Sequence, residues 1–206
     1  MRVGFDFDNT IVCYDGSFHA AAVERGLVPA DVPADKKSVR DYCVAAGRED
    51  DWTELQGHVY GTWMDRVALY PGVAAFMVAL GRAGHSIFIV SHKSRTPYRG
   101  PAHDLHAAAR RFIEERLTDA GEPIVAPSNV ILETTLKGKI ARIGELKFDV
   151  FIDDLPEVLR NPAFPPRTRR ILFDPQGHHA GEADLEARAS WPEIAEAVLG
   201  PNATAR

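Results

Sequence analysis

Apolar residues along the chain gather in short, nearly unbroken runs instead of alternating with polar ones. Five such runs, Arg2 to Phe7, Ser86 to Ser91, Asn129 to Glu133, Asp149 to Asp153 and Arg170 to Phe173, are rich in Val, Ile, Leu and Phe. Continuous apolar character over so few residues marks strands buried on both faces of a parallel sheet. Helical spacing lies between them: Val73 to Arg82 after a Pro-Gly start, Asp104 to Ala120, and Lys139 to Leu146, where Ile140, Ile143 and Leu146 share one side. Strands alternating with helices predict right-handed crossovers and a doubly wound, Rossmann-like α/β parallel sheet. Ligands of such sheets bind beyond the carboxyl ends of the strands.

One interval breaks this rhythm. Between the first run and Tyr70-Pro71-Gly72 no strand pattern appears, and the residues are polar and helix-prone at Phe18 to Arg25, Lys37 to Ala46 and Asp51 to Leu69, divided by a turn region at Pro29 to Pro33. A loop of that length without structure of its own is unusual in a compact domain, so an inserted small helical cap over residues 14–69 is expected. The core domain then comprises residues 1–13 and 70–206. From Pro175 onward the pattern predicts a polar turn region, a helix at Pro192 to Leu199 and a frayed end.

Composition narrows the function classes. The 206 residues suffice for a full core, and 24 Lys and Arg against 29 Asp and Glu leave a net charge of -5. An acidic balance argues against nucleic acid as a partner, because sequence-independent affinity for a polyanion comes from basic residues. No apolar run approaches the length of a bilayer, and Asp6 and Asp8 stand where a signal peptide needs apolar residues, so no membrane association is expected. Two cysteines, Cys13 and Cys43, allow at most one bridge, which fits a reducing, cytoplasmic setting.

The sharpest chemical signal is Phe5-Asp6-Phe7-Asp8-Asn9-Thr10 at the carboxyl end of the first run. Residues two apart on a strand project to one face, and two carboxylates that close repel each other. Such a pair persists where a cation offsets the repulsion or where one carboxyl holds a proton; the bland alternative is two solvated acids in a turn. A second pair, Asp153-Asp154, ends the run Val150-Phe151-Ile152 and reads either as a contributor to the same crevice or as the capping pair of a helix opening at Leu155-Pro156-Glu157. Carboxylates without a Cys or His cluster suit a hard, oxygen-preferring ion such as Mg²⁺. His103, His106, His178 and His179 lack the companion ligands of a zinc site. Ser91-His92-Lys93-Ser94-Arg95 reads either as a source of cations for a phosphate or as an exposed basic loop. In the helical interval, Lys36, Lys37, Arg40, Trp52, Gln56, His58 and Tyr60 are candidates for gripping a leaving group, while Trp52, Trp63 and Phe18 also read as that unit's own core.

The constellation resembles the haloacid dehalogenase superfamily. Its first motif, Asp-x-Asp-x-Thr after an apolar strand, reads here Asp6-Phe7-Asp8-Asn9-Thr10; its second, a strand ending in Ser or Thr, reads Ile87-Phe88-Ile89-Val90-Ser91; its fourth, an acidic pair after a strand, reads Asp153-Asp154. The helical interval falls where the family places a cap of the first type. The third motif is a Lys, for which Lys137, Lys139 and Lys147 compete. Lys147 falls at the expected C-terminus of its helix, where the dipole favours a cation without any function. Lys139 is preferred over Lys137 because the family's Lys opens this helix.

The resemblance implies a phosphatase acting on a small phosphorylated substrate, a sugar phosphate or nucleotide-like metabolite, with Mg²⁺ as cofactor. It implies Asp6 as the nucleophile that forms an aspartyl-phosphate, and Asp8 as the acid and base serving leaving group and water. Family dehalogenases and phosphonatases lack that second acid. Thr10, Ser91, His92, Lys93, Lys139 and the backbone amides after Asp8 would bind phosphate. Asp6, the main-chain carbonyl of Asp8, Asp153 and Asp154 would surround the metal. An aspartate in water, titrating at about 3.9, is ionised at neutral pH and needs no base to attack phosphorus. The same motifs serve a phosphotransferase, and a crevice of this kind can also act as a non-catalytic phospho-ligand-binding module.

Overall fold

The computed structural model describes residues 1–179, 181–182 and 184–201. In chain order its elements are β1 (Arg2–Phe5), β2 (Val12–Cys13), α1 (Ser17–Glu24), α2 (Lys36–Ala45), α3 (Glu49–Tyr60), β3 (Ala68–Leu69), α4 (Val73–Arg82), β4 (Ser86–His92) and α5 (Leu105–Arg116). There follow β5 (Thr118–Asp119), β6 (Glu122–Pro123), β7 (Val130–Glu133), α6 (Leu136–Leu146), β8 (Val150–Asp153), α7 (Pro156–Leu159), β9 (Arg169–Phe173), β10 (Glu186–Arg188) and α8 (Trp191–Leu199). The frayed end expected beyond Pro201 lies outside the described residues.

The chain divides into two compact units, Met1–Val12 with Leu69–His92 and Glu114–Arg206, and Cys13–Ala68 with Lys93–Ile113. The first unit holds a six-stranded sheet in the order β10-β9-β8-β1-β4-β7, with parallel neighbours throughout. From β1 the chain steps outward through β4 to β7, then returns to β8 on the other side of β1 and continues to β9 and β10. Strand order therefore reverses at β1, which places the end of β1 at the switch point of a doubly wound sheet.

Both faces of the sheet are covered, as its continuous apolar strands require. On one face Trp191 of α8 stacks on Phe173 at 5.1 Å between ring centroids and lies 5.7 Å from Phe5 and 5.9 Å from Phe76 of α4. A separate cluster joins Ile140 and Ile143 of α6, Val158 and Leu159 of α7, and Phe148, Phe151 and Phe164. Burial of large aromatic and aliphatic side chains at about 25 cal/mol per Å² is what holds these layers together.

Several boundaries differ from the sequence pattern. Helix α5 ends at Arg116 instead of Ala120, because Thr118–Asp119 and Glu122–Pro123 pair as a short antiparallel hairpin around Ala120, at φ 51°, and Gly121. The sixth strand, β10, is absent from the sequence reading: Glu186–Arg188 is an edge segment with two charged residues and no apolar run. The expected helix from Asp51 to Leu69 stops at Tyr60 and is followed by a 3-10 turn at Met64–Arg66 and by β3.

In the second unit α1, α2 and α3 pack around aromatic rings. Phe18 lies 5.2 Å from Trp52 and 5.6 Å from Tyr60, and Tyr14 lies 4.9 Å from Tyr60. Asp35 caps α2 by accepting the Ser38 amide at 2.8 Å. The segment Lys93–Ile113, read from sequence as part of the core, groups with these helices.

Candidate active site

The register of the sheet explains how acids far apart in sequence meet. Phe5 pairs with Ile152 across the parallel ladder, and the Asp6 amide donates to the Ile152 carbonyl at 2.9 Å. The next residue on each strand is an aspartate, so Asp6 and Asp153 stand side by side at the carboxyl ends of adjacent strands. Asp6, Asp153 and Asp154 each direct a carboxylate oxygen to one place, all within 4.8 Å of one another. Asp6 and Asp153 are buried, and Asp154 is partly so.

Into this cluster comes Lys139. Thr135 caps α6, its Oγ1 accepting the Gly138 amide at 3.0 Å, so the helix opens at Leu136 and Lys139 is its fourth residue, not its first. The ammonium is wholly buried, 2.6 Å from Asp6 Oδ1 and 2.6 Å from Asp153 Oδ2. Lys137 and Lys147 are both exposed, and Lys147 ends the helix in the left-handed region at φ 52°. Only one of the three lysines is thus brought to the acids. Three carboxylates against one ammonium leave a buried excess of negative charge, and burial of that kind requires a cation or a proton.

Electrostatics agree with that count. Desolvation works against a charged Lys139, but the Asp153 and Asp6 carboxylates outweigh it and hold the amine above the ordinary lysine value. Desolvation, and then Asp6, push Asp153 up to about 7 against the opposing Lys139 ammonium. Asp154 is raised by desolvation and by Asp6 and Asp153, with Lys139 and the Thr10 hydroxyl opposing. The sites are acids whose charge the protein alone does not fully offset.

The turn after β1 holds the remaining first-motif residues. Asn9 has φ 56°, a left-handed conformation that Asn tolerates better than most side chains. The Phe7 carbonyl accepts the Ile11 amide at 3.0 Å and the Val12 amide at 3.1 Å. Those two amides are therefore engaged, and of the backbone donors expected after Asp8 only Asn9 and Thr10 stay in question. Buried Thr10 donates its hydroxyl to Asp154 Oδ1 at 3.1 Å and so orients that acid. Asp8 is half-buried and forms a bridge to Val12.

Ser91 is buried near the end of β4. His92 follows it, and desolvation, with the Lys139 ammonium acting the same way, lowers its pKa despite Asp6, Asp8 and Glu157. Its surroundings thus favour the neutral imidazole. Lys93 belongs to the second unit, where its ammonium lies 4.4 Å from the centroid of Tyr60. Asp153 and Asp154 do not cap α7: its N-cap is Leu155, whose amide donates to Asp153 Oδ1 at 3.0 Å. His106 Nε2 lies 2.8 Å from the Lys93 carbonyl and His179 Nδ1 3.0 Å from Glu182; neither joins a cluster of metal-ligating side chains among the described residues.

The sequence reading missed the brace behind Lys139. Arg142 donates to Glu133 Oε1 at 3.1 Å, and a Cβ on Gly138 would come 3.0 Å from Glu133 Oε2 and 3.2 Å from Thr135 Oγ1. The end of β7 and the start of α6 are thus locked together. A Thr three residues before Gly138 is a helix-start signal that could have placed this boundary.

No protein-family model and no curated protein matches the chain. Solved structures do match its fold along nearly its whole length. A HAD family hydrolase from Deinococcus radiodurans, solved with bound phosphate and sodium, superposes with a TM-score of 0.58 at 16% identity, covering 98% of this chain and 96% of its own. A Had-superfamily hydrolase from Ehrlichia chaffeensis gives 0.57 at 14% identity, covering 96% and 95%. The archaeal beta-phosphoglucomutase from a Pyrococcus species gives 0.57 at 13% identity, covering 93% of each chain. At such identities the likeness establishes the fold alone, a parallel α/β sheet shared with these structures.

Proposed function

We propose that the protein is a Mg²⁺-dependent phosphomonoesterase of the haloacid dehalogenase type, cytoplasmic, acting on a small phosphorylated metabolite such as a sugar phosphate or nucleotide-like monoester. The observation that carries this reading is the buried meeting of Asp6, Asp153 and Asp154 within 4.8 Å, bridged on one side by Lys139. An all-oxygen, net-negative donor set fits a small hard cation. Asp6, Asp153, Asp154 and the main-chain carbonyl of Asp8 would hold it. Bound Mg²⁺ supplies positive charge that lets an anionic nucleophile approach an anionic ester.

The residues then divide the work. A carboxylate oxygen of Asp6 attacks phosphorus, the new P–O bond forming as the bond to the leaving oxygen breaks. Asp8 gives its proton to that leaving oxygen. It then takes a proton from a water whose oxygen attacks phosphorus, releasing inorganic phosphate and regenerating Asp6. Lys139 offsets charge on the phosphoryl group as it develops, and Ser91 holds one phosphoryl oxygen. Thr10 keeps Asp154 in place through its hydrogen bond. The inserted helical segment takes the role of the cap, and no helix among the described residues is long and apolar enough to cross a membrane.

A panel of phosphorylated metabolites assayed for phosphate release, with Mg²⁺ and with chelator, tests the proposal. Added alcohol acceptors separate hydrolysis from transfer. Asp6→Asn should abolish turnover with the fold intact, and Asp8→Asn should slow alkyl phosphates by about 10²–10⁴-fold while phosphoenzyme accumulates with good leaving groups. Turnover that survives Asp6→Asn, or activity indifferent to chelation, would overturn it.

A further inference from the structure

The helical unit contains a cavity of about 240 Å³ walled by Arg25, Glu54, His58, Arg99 and His103. It shares no residue with the acid cluster. The walls come from the residue after α1, from α3, and from the loop between β4 and α5. That loop is seated on α3 without slack: a Cβ on Gly57 would fall 2.6 Å from Pro97 Cβ, and one on Gly100, at φ +87°, 2.6 Å from Glu54 Cγ. The cavity is shaped by this close approach of the glycine backbone to Pro97 and Glu54.

Its wall carries two guanidinium groups, each paired with one carboxylate: Arg25 with Glu54, and Arg99 with Asp50 at 2.9 Å. Each guanidinium carries five N–H donors, more than one carboxylate partner can use. His58 Nδ1 lies 2.7 Å from Thr62 Oγ1; with the hydroxyl donating, the ring proton sits on Nε2. Desolvation, then Arg25, hold His58 below its ordinary pKa, with His103 and Arg66 acting in the same direction and Glu24 opposing. Planar guanidinium forks match the oxygens of carboxylate and phosphate groups, and the volume suits a ligand smaller than drug-sized molecules.

We propose that this cavity binds a small oxyanion, a phosphate or carboxylate group, through Arg25 and Arg99, with His58 and His103 as further donors. The claim is independent of the reaction assigned to the acid cluster, and its test reads no turnover.

The imidazole signals of His58 and His103 are followed by NMR in the full chain, with chelator present, during titration with sodium phosphate and separately with sodium acetate at constant ionic strength. His58→Gln identifies the His58 signal. A saturable shift and a rise in the His58 pKa are expected, since a nearby anion favours imidazolium; a response to either anion supports the site and names its class. Arg99, more than half exposed, can be replaced without disturbing packing, and Arg99→Ala should weaken the midpoint about fivefold or more. Arg25→Gln serves as the second variant, and Asp6→Asn should leave the response unchanged. Drift without saturation for both anions, a midpoint unmoved in both arginine variants, or loss of the response in Asp6→Asn would overturn the proposal.

Discussion

Replacing Lys139 by Met keeps the apolar stem, one atom short of the full side chain, and removes the charge. In the parent the ammonium is wholly buried and lies 2.6 Å from a carboxylate oxygen of both Asp6 and Asp153. The variant would leave three carboxylates within 4.8 Å of one another with no cation from the protein. Removing one partner of a buried ion pair costs roughly 3–5 kcal/mol, whereas an exposed pair is worth about 0–1 kcal/mol. For a chain of 206 residues, each kcal/mol moves Tm by about 2–4 °C, so a fall of about 6–20 °C is expected in chelator.

The pH dependence has a definite sign. Lys139 is held above the ordinary lysine pKa, so its contribution is complete below that value and disappears only as pH rises through the folded one. In the variant the acids take up protons more readily, and the deficit should shrink as pH falls toward about 5. Thermal unfolding followed by far-UV circular dichroism, on parent, Lys139→Met, Asp6→Asn and the double variant, measures this. Asp6→Asn alone removes one of the crowded charges and should be no less stable than the parent. The double variant should recover about 1–3 kcal/mol relative to additivity. A Lys139→Met protein that melts with the parent in chelator at about pH 8 would refute the reasoning, because the ammonium would then not be offsetting the acids at all.

Three further outcomes are expected. Added Mg²⁺ should raise Tm, by about 2.7 kcal/mol of stability at a hundredfold excess over Kd. The gain should be larger at about pH 8 than at about pH 5.5, because burial raises Asp153 to about 7 and protons compete below that; calorimetry at both pH values checks it. Gly138→Ala adds a Cβ 3.0 Å from Glu133 Oε2, which should shift Lys139 and lower kcat more than it changes KM, despite the better helix propensity of Ala. Steady-state kinetics beside a melting curve separates that from simple destabilisation. Asp35→Ala removes the cap of α2 and should cost about 1 kcal/mol, seen in denaturant titration, with kcat unchanged.

Strands were the most legible part of the chain. Apolar runs such as Val150-Phe151-Ile152 can be read locally, because burial on both faces leaves no polar positions to blur them. Edge strand β10 escaped notice for the converse reason: one side of it has no partner strand, and Glu186 and Arg188 are tolerated there. Helix ends shifted wherever a cap or a hairpin competed with helical spacing, as at Thr135 and around Ala120. Thr10 was read from its motif and His92 from the polar cluster after a strand; packing adds what neither pattern carries, a neighbouring carboxylate that accepts the Thr10 hydroxyl and a desolvated setting that lowers the His92 pKa.

The order of residues by itself determined that a parallel sheet would form and that each of two strands would end in aspartate, since both follow from side-chain chemistry repeated at short range. Which acids share a cavity is a long-range matter of strand register, set by Phe5 lying opposite Ile152 across 147 positions of chain. Among three lysines the sequence favoured Lys139, and tertiary structure supplies the physical ground: a cap at Thr135 rotates it inward and leaves Lys137 and Lys147 in water. Local sequence carries propensity and charge; only packing removes solvent, and without solvent a carboxylate must find a cation or a proton.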